Sequence, residues 1–421
     1  KYGLEFEYAD IFNFPTIRQL SKKLPSPEEH FMANYDYSKI NNLLKANSID
    51  NLDKIEKYSF RNALIIGSTG YLGAHILHSF LIHESGTAYC LIRPKSNMSP
   101  EDRIISYLNF YFGEDFYNNY KDRIKVVAGD LVKENLGLSE SDYNEVVINS
   151  GAIVKHFGLK KEFEDINVKG TQYIVDLCKK NNKRLIHAST ISISGFGEKE
   201  ELTTTPEEEG SKLFTEHDLY VGQSIKGIYS TTKYKAEISV LEAIEDGLDV
   251  QIVRIGNITN RYSDGMFQKN IKDNAFVRRL KSFIEIGAFP KETLKHALEF
   301  TPVDLCADAI IKILEYSSPC NVFHIYNPNL MPAPLLYNTL LDRGFEIIPV
   351  TDELMSYIIT GILEDNKKKD TISGIIQDID KNKKFTYTSK VRLDCDFTNK
   401  FLNKVGFNWV SYDGLYINKC F

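Results

Sequence analysis

Residues 63–73, Ala63-Leu64-Ile65-Ile66-Gly67-Ser68-Thr69-Gly70-Tyr71-Leu72-Gly73, carry an apolar run of strand length straight into a turn with a glycine at every third position. The next segment, Ala74-His75-Ile76-Leu77-His78-Ser79-Phe80-Leu81, has the apolar spacing of a helix. Glycines at such a turn let the backbone approach a pyrophosphate closely. The helix start then aims its unpaired N–H groups and positive dipole end at that anion. Taken alone, the pattern also fits an ordinary strand-to-helix turn. A second motif downstream separates the two: Tyr229-Ser230-Thr231-Thr232-Lys233, with Ser189-Thr190 between the motifs. The pair predicts a nicotinamide-dependent enzyme.

Around this stretch, apolar runs at 88–92, 124–127, 146–149, 184–188 and 250–253 alternate with longer amphipathic segments, and 321–326 offers a further strand behind a helix-like 305–316. Such alternation predicts an α/β fold, a Rossmann-type doubly wound parallel sheet with helices on both faces. Leu24-Pro25-Ser26-Pro27-Glu28-Glu29 reads as a linker, because prolines interrupt a helix, and the main domain is expected to start near Phe60. Two insertions, Glu198 to Gly210 and Met266 to Pro290, are placed to cover a substrate cleft. Beyond Pro328, Pro332 and Pro334 mark a change of unit. The rest reads as a smaller, mostly helical C-terminal subdomain, interrupted by charged stretches at 364–369 and 378–384 that are solvated faces or loops.

The 421 residues, 43% hydrophobic and 26% charged, suffice for two domains or one with a large appendage. A net charge of −6 and a pI near 5.9 disfavour nucleic acid as the main partner. Six cysteines, Cys90, Cys178, Cys306, Cys320, Cys395 and Cys420, show neither a paired motif nor metal-ligand spacing, and no long apolar span occurs. A cytoplasmic protein without metal or membrane association is expected. The first residue is Lys1 rather than methionine, as in a piece cut from a longer chain.

Where an NAD enzyme would place an acidic residue after the second strand, this chain has Arg93 and then Lys95. A cation there would meet the 2′-phosphate of NADP, so NADPH is expected over NADH. Gly67, Thr69, Gly70, Tyr71, Leu72 and Gly73 form the expected phosphate turn. Asp130-Leu131 follows the next strand and suits an adenine contact, or simply a strand-end turn. Asn149, Ser150 and Gly151 are expected beside the nicotinamide ribose, whereas Asn167 reads equally as a ligand, a cap or a bridge between segments. Tyr229 and Lys233, four apart, share one helix face. The ammonium is expected to lower the phenol's pKa and to reach the cofactor ribose. Thr190 is the candidate to hydrogen-bond the substrate oxygen, with Ser189 competing. His187 reads as a core histidine and His156, with Phe157, as part of the cleft mouth.

Together with Leu91-Ile92-Arg93, Gly129-Asp130-Leu131, Asn167-Val168-Lys169-Gly170-Thr171 and Arg254-Ile255-Gly256-Asn257-Ile258, these motifs resemble the extended short-chain dehydrogenase/reductase family. Thr301-Pro302-Val303-Asp304 and Gly406-Phe407-Asn408-Trp409 narrow the resemblance to the terminal thioester reductase domains of nonribosomal peptide synthetases and the related carboxylic acid reductases. Asp10, Phe12, Pro15, Thr16, Ile17 and Leu20 resemble the last helix of a peptidyl carrier domain. The resemblance implies reductive release, with NADPH, of a phosphopantetheine-bound peptidyl or acyl thioester. The product would be an aldehyde, or an alcohol after a second hydride. It implies catalysis by Thr190, Tyr229 and Lys233, and cofactor contacts from Ile255, Gly256 and Asn257 as well. The upstream carrier domain is the implied partner, and a tethered reductase has no need of a second copy, which favours a monomer. An extended reductase acting on acyl-CoA or a sugar nucleotide, or a non-catalytic NADP sensor, would share much of the motif set. The expected organisation is a carrier-helix remnant at 1–24 and a linker with an N-terminal helix at 25–59. The NADP-binding domain spans 60–262 plus 301–328, and a substrate- and carrier-binding subdomain 263–300 plus 329–421.

Overall fold

The computed structural model describes residue 16 and residues 27–95, 97–138, 145–155, 158–195, 213–225, 227–270, 274–364, 369–379, 385, 392–412 and 414–420. The carrier-like helix apart from Thr16, the pair His156 and Phe157, the insertion 198–210 and most of the charged stretches at 364–369 and 378–384 lie outside the described residues.

Seven parallel strands form the central sheet: β1 (Ala63–Ile66), β2 (Ala88–Ile92), β3 (Ile124–Ala128), β4 (Val146–Asn149), β5 (Arg184–Thr190), β6 (Val250–Ile255) and β7 (Val322–Ile325). Their spatial order is β7-β6-β5-β4-β1-β2-β3. The order of winding therefore reverses between β1 and β4, which opens a crevice at the carboxyl ends of those two strands. The glycine turn leaves β1 at that point. The sequence-predicted strands are all present; β5 and β6 each run two residues further than expected, to Thr190 and Ile255, which are register partners.

Side-chain alternation explains why both faces are covered. Ala63 and Ile65 enter one core, while Leu64 and Ile66 enter the other. Helices α1 (Pro27–Asn34) and α2 (Ser38–Leu44) precede the sheet, and α3 (Tyr71–His83), α4 (Pro100–Phe112), α5 (Gly170–Asn181), α6 (Ile228–Glu245), α7 (Val303–Leu314) and α8 (Asp396–Lys404) follow within it or after it. Ile76 and Phe80 of α3, Ile104 of α4, Ile310 of α7 and Phe401 of α8 pack on the first face. Leu44 of α2, Ile174 of α5 and Leu241 of α6 pack on the second.

Two stretches depart from the sequence reading. Pro27 begins helix α1 instead of interrupting one, because a proline at the first helical position removes an N–H that has no partner there anyway. In addition, Phe397, Phe401, Leu402 and Phe407, expected in the C-terminal subdomain, return to the core of the sheet. The remaining C-terminal helices build two smaller cores, one around Leu280, Leu336 and Tyr416, the other around Phe283, Met355 and Ile359.

Candidate active site

The phosphate turn is held by contacts that only glycine permits at two positions. Gly67 has φ +91°, and a Cβ on it would stand 2.8 Å from Gly151 N. A Cβ on Gly73 would stand 2.1 Å from the Gly67 carbonyl oxygen. The first turn of α3 thus lies close on the glycine loop, and this bare cradle at a helix N-terminus fits a dinucleotide pyrophosphate. Ser150 seals the floor, its hydroxyl donating to Ile66 O at 2.8 Å. Thr69 and Leu72 flank the cradle and are partly exposed.

Tyr71, expected as a cofactor contact, directs its phenol elsewhere. It donates to Thr259 O at 3.0 Å and Met266 O at 3.1 Å, tying α3 to the start of the second insertion. Its backbone alone remains for the phosphate. Asp130 accepts from Val132 N at 3.2 Å, the local-turn reading, and Leu131 packs against Gly151 and Gly170.

Arg93 and Lys95 are exposed at the end of β2. A third cation joins them that the sequence reading missed: Arg103 donates from Nη1 to Arg93 O at 3.1 Å. Burial, with the Arg93 charge beside it, holds the Arg103 guanidinium below its ordinary pKa. The overlooked signal is Ser99, which caps α4 by accepting Asp102 N at 3.0 Å and so fixes where the first turn delivers Arg103.

At the end of β5, Thr190 caps a short 3₁₀ turn by accepting Ser192 N at 3.2 Å, and its hydroxyl is hydrogen-bonded to that of Tyr229 on α6. Ser189, the competing candidate, points the other way and donates to Glu237 Oε2 at 2.5 Å. The alternation of a strand separates them. One turn behind Tyr229, Lys233 is 3% exposed and donates to Ala188 O at 2.5 Å.

The expected lowering of the Tyr229 pKa does not hold. Burial pushes the phenol up to about 12, with the Thr190 hydrogen bond opposing. The Lys233 ammonium is directed to Ala188 O, and burial pulls it down to about 8 while Glu237 works against that pull. Tyr229 is accordingly a protonated phenol at neutral pH, ready to give its proton away.

Beneath the pair lies a buried ion pair that joins Arg254 of the Arg254–Ile258 motif to Glu237, a partner the motif does not announce. Arg254 on β6 donates to Glu237 Oε1 from Nε at 2.9 Å and from Nη2 at 2.6 Å, both side chains 0% exposed. Arg254 Nη1 meets His324 Nε2 at 3.1 Å, and His324 Nδ1 donates to Asp394 O at 2.6 Å. Asn167, read equally as a ligand, a cap or a bridge, has its side chain bridging segments here. Its amide donates to Ile153 O and to Thr232 Oγ1, each at 3.1 Å, and accepts from Ile153 N at 2.8 Å. Asn149 is also engaged, donating to His187 Nδ1 at 3.2 Å and accepting Gly151 N at 3.1 Å. His187 is the core histidine expected, fully buried and held well below its ordinary pKa by burial and the nearby Lys233 charge.

Ile255, Gly256 and Asn257 leave β6 beside Thr190, the register partner of Ile255. In the Thr-Pro-Val-Asp segment, Asp304 accepts Tyr262 N at 2.9 Å and Ser263 N at 3.2 Å, anchoring the point where the second insertion departs. Among the described residues, no cluster of His, Cys, Asp or Glu gathers as a metal site, and no helix is long and apolar enough to cross a membrane.

Residues 65–310 match the family model described as male sterility protein, an NAD-binding domain. A subunit of the linear gramicidin synthase of Brevibacillus parabrevis is 30% identical over 322 residues, 74% of this chain and 6% of that protein. The L-2-aminoadipate reductase large subunit of Eremothecium gossypii is 24% identical across 99% of this chain and 32% of its own length. The chain thus spans about a third or less of these curated relatives. A solved thiolation-reductase di-domain from an archaeal non-ribosomal peptide synthetase superposes with a TM-score of 0.84 at 31% identity, covering 99% of this chain and 86% of that one.

Proposed function

Because the chain belongs to the NAD-binding male sterility protein family, among the reductase domains of nonribosomal peptide synthetases, we propose that it releases a carrier-bound peptidyl or acyl thioester reductively with NADPH. The observation that carries this reading is the hydrogen-bonded Thr190–Tyr229 pair, backed by Lys233, at the crevice where the glycine cradle opens. Gly67, Gly70, Gly73 and the α3 N-terminus hold the pyrophosphate, and Arg93 with Arg103 and Lys95 receives the 2′-phosphate. The bound reduced nicotinamide supplies hydride. Thr190 and Tyr229 bind the thioester oxygen, and Tyr229 gives it a proton as negative charge develops there. Lys233 keeps the phenol oriented and stabilises the oxygen left behind. The resulting hemithioacetal sheds the phosphopantetheine thiol and leaves an aldehyde, or an alcohol where a second hydride follows. The partner is an upstream peptidyl carrier domain, and the reductase works as a monomer beside it.

Single-turnover reaction with a carrier-bound aminoacyl thioester tests this, with nicotinamide absorbance and product mass followed together. NADPH is expected to be consumed with release of aldehyde or alcohol. Tyr229→Phe is expected to slow that step by about 10²–10⁴ while leaving NADPH binding intact. Cofactor binding without turnover on any carrier thioester, but with turnover on acyl-CoA or a sugar nucleotide, would reject the carrier substrate.

A further inference from the structure

Glu299 lies between the short strands Ala297–Leu298 and Thr301–Pro302 and is half-buried. No motif marks it, and the chemistry above does not use it. Its carboxylate is pressed against the backbone that leaves β6. One oxygen accepts the Asn257 N–H at 2.5 Å, and the other accepts the Thr301 hydroxyl. A Cβ on Gly256 would stand 2.6 Å from Tyr326 Cβ and 2.7 Å from Glu299 Oε1, so a larger residue there would crowd both. Burial pushes Glu299 up to about 7, with Thr301 and Asn257 opposing, and among the described residues no cation is one of the groups that set its charge. The Asn257 side chain is a third donor to it, and a carboxylate offers about four acceptor positions, so part of that capacity is left.

Through Asn257, two residues past Ile255, the carboxylate meets the backbone leaving β6, and Ile255 is the register partner of Thr190. Hydride must be delivered to an oxygen held by Thr190 and Tyr229, so the nicotinamide ring belongs on this side of the crevice. Its one exocyclic hydrogen-bond donor is the carboxamide N–H. Resting on the nicotinamide-dependent reading, we propose that Glu299 accepts this carboxamide N–H and so fixes the ring's orientation toward Thr190 and Tyr229. Glu299 is on this account a cofactor-positioning residue, and Gly256 is the space that lets it reach the ring.

The test is a thermodynamic cycle between the side chain and the donor. NADPH and its reduced 3-acetylpyridine analogue, in which a methyl group replaces the carboxamide nitrogen, are titrated by fluorescence against the wild type and Glu299→Ala at about pH 8.5, where the carboxylate is ionised. The wild type is expected to bind NADPH about tenfold more tightly than the analogue, and Glu299→Ala to bind the two nearly equally. Titration with 2′,5′-ADP, which has no nicotinamide, should give the same affinity for both proteins. An unchanged NADPH-to-analogue ratio in a variant that still binds 2′,5′-ADP would overturn the proposal. If the alanine variant fails to bind 2′,5′-ADP, Glu299→Met, which keeps much of the volume and has no oxygen acceptor, is read the same way: a reduced ratio supports the contact and an unchanged one rejects it. A wild type that binds neither NADPH nor 2′,5′-ADP would retire the nicotinamide reading itself.

Discussion

Lys233 carries two pH dependences of opposite consequence. Burial draws its ammonium from 10.5 to about 8, so in the folded chain it is charged below that pH and neutral above it. The rate of thioester reduction, as kcat/KM, is expected to fall about tenfold per pH unit above about 8. Lys233→Arg, charged throughout, should remove that limb; a stopped-flow pH profile checks both. Stability moves the other way. Between about 8 and 10.5 the unfolded lysine binds a proton that the folded one has released, so this residue makes the fold more stable as pH rises across that window. Arg103 sets a second expectation at this scale. Removing it should weaken NADPH binding by about tenfold or more and barely affect NADH, because only NADPH presents the 2′-phosphate. The Tyr229–Lys233 pair was legible because a fixed spacing on one helix implies one face. Arg103, Glu237 and Glu299 were not, because each gains its meaning from a partner on another element, and no local pattern encodes that.

At the scale of elements, strands and the glycine turn could be read directly. Short apolar runs closed by glycine or polar residues have few alternatives when both faces must be covered. Asn167 could not be assigned, since its cap, bridge and ligand readings differ only in what approaches it from α6 and the segment after β4. The fastening between α6 and β6 was equally hidden. It is the fully buried Arg254–Glu237 pair, which also takes the Ser189 hydroxyl and so fixes the strand end that presents Thr190. Arg254→Met alone leaves an uncompensated buried carboxylate and is expected to cost about 3–5 kcal/mol. The double variant Arg254→Met with Glu237→Met removes both charges and should recover much of that loss. Urea unfolding of the three proteins decides the matter. A single variant as stable as the wild type would show that the pair contributes nothing to the joint.

For the whole molecule, the chain ahead of the sheet matters more than its linker-like composition suggests. Tyr37 of the turn before α2 accepts the Tyr234 hydroxyl at 2.7 Å, directly after Lys233 in sequence, and Tyr35 donates to Glu242 at 2.6 Å. Asn47 donates to Glu216 O at 2.8 Å and accepts Asn321 N at 2.9 Å, joining the loop before α6 to the start of β7. Ile40 and Leu44 are buried in the core behind α6, and Leu52 in the opposite one. The segment 27–54 therefore clamps the outer face of α6, and every one of these contacts begins after residue 27. A chain cut before residue 27 keeps every one of these contacts and serves as the reference. Cutting before residue 55 removes several fully buried side chains, each worth about 1.5–3 kcal/mol, and frees the back of α6. That protein should melt well below the first and lose turnover even on the small substrate, because Tyr229 and Lys233 ride on the helix that has been released. Equal melting of the two truncations would mean that the segment is a tether after all, and that the sheet alone holds α6 in place.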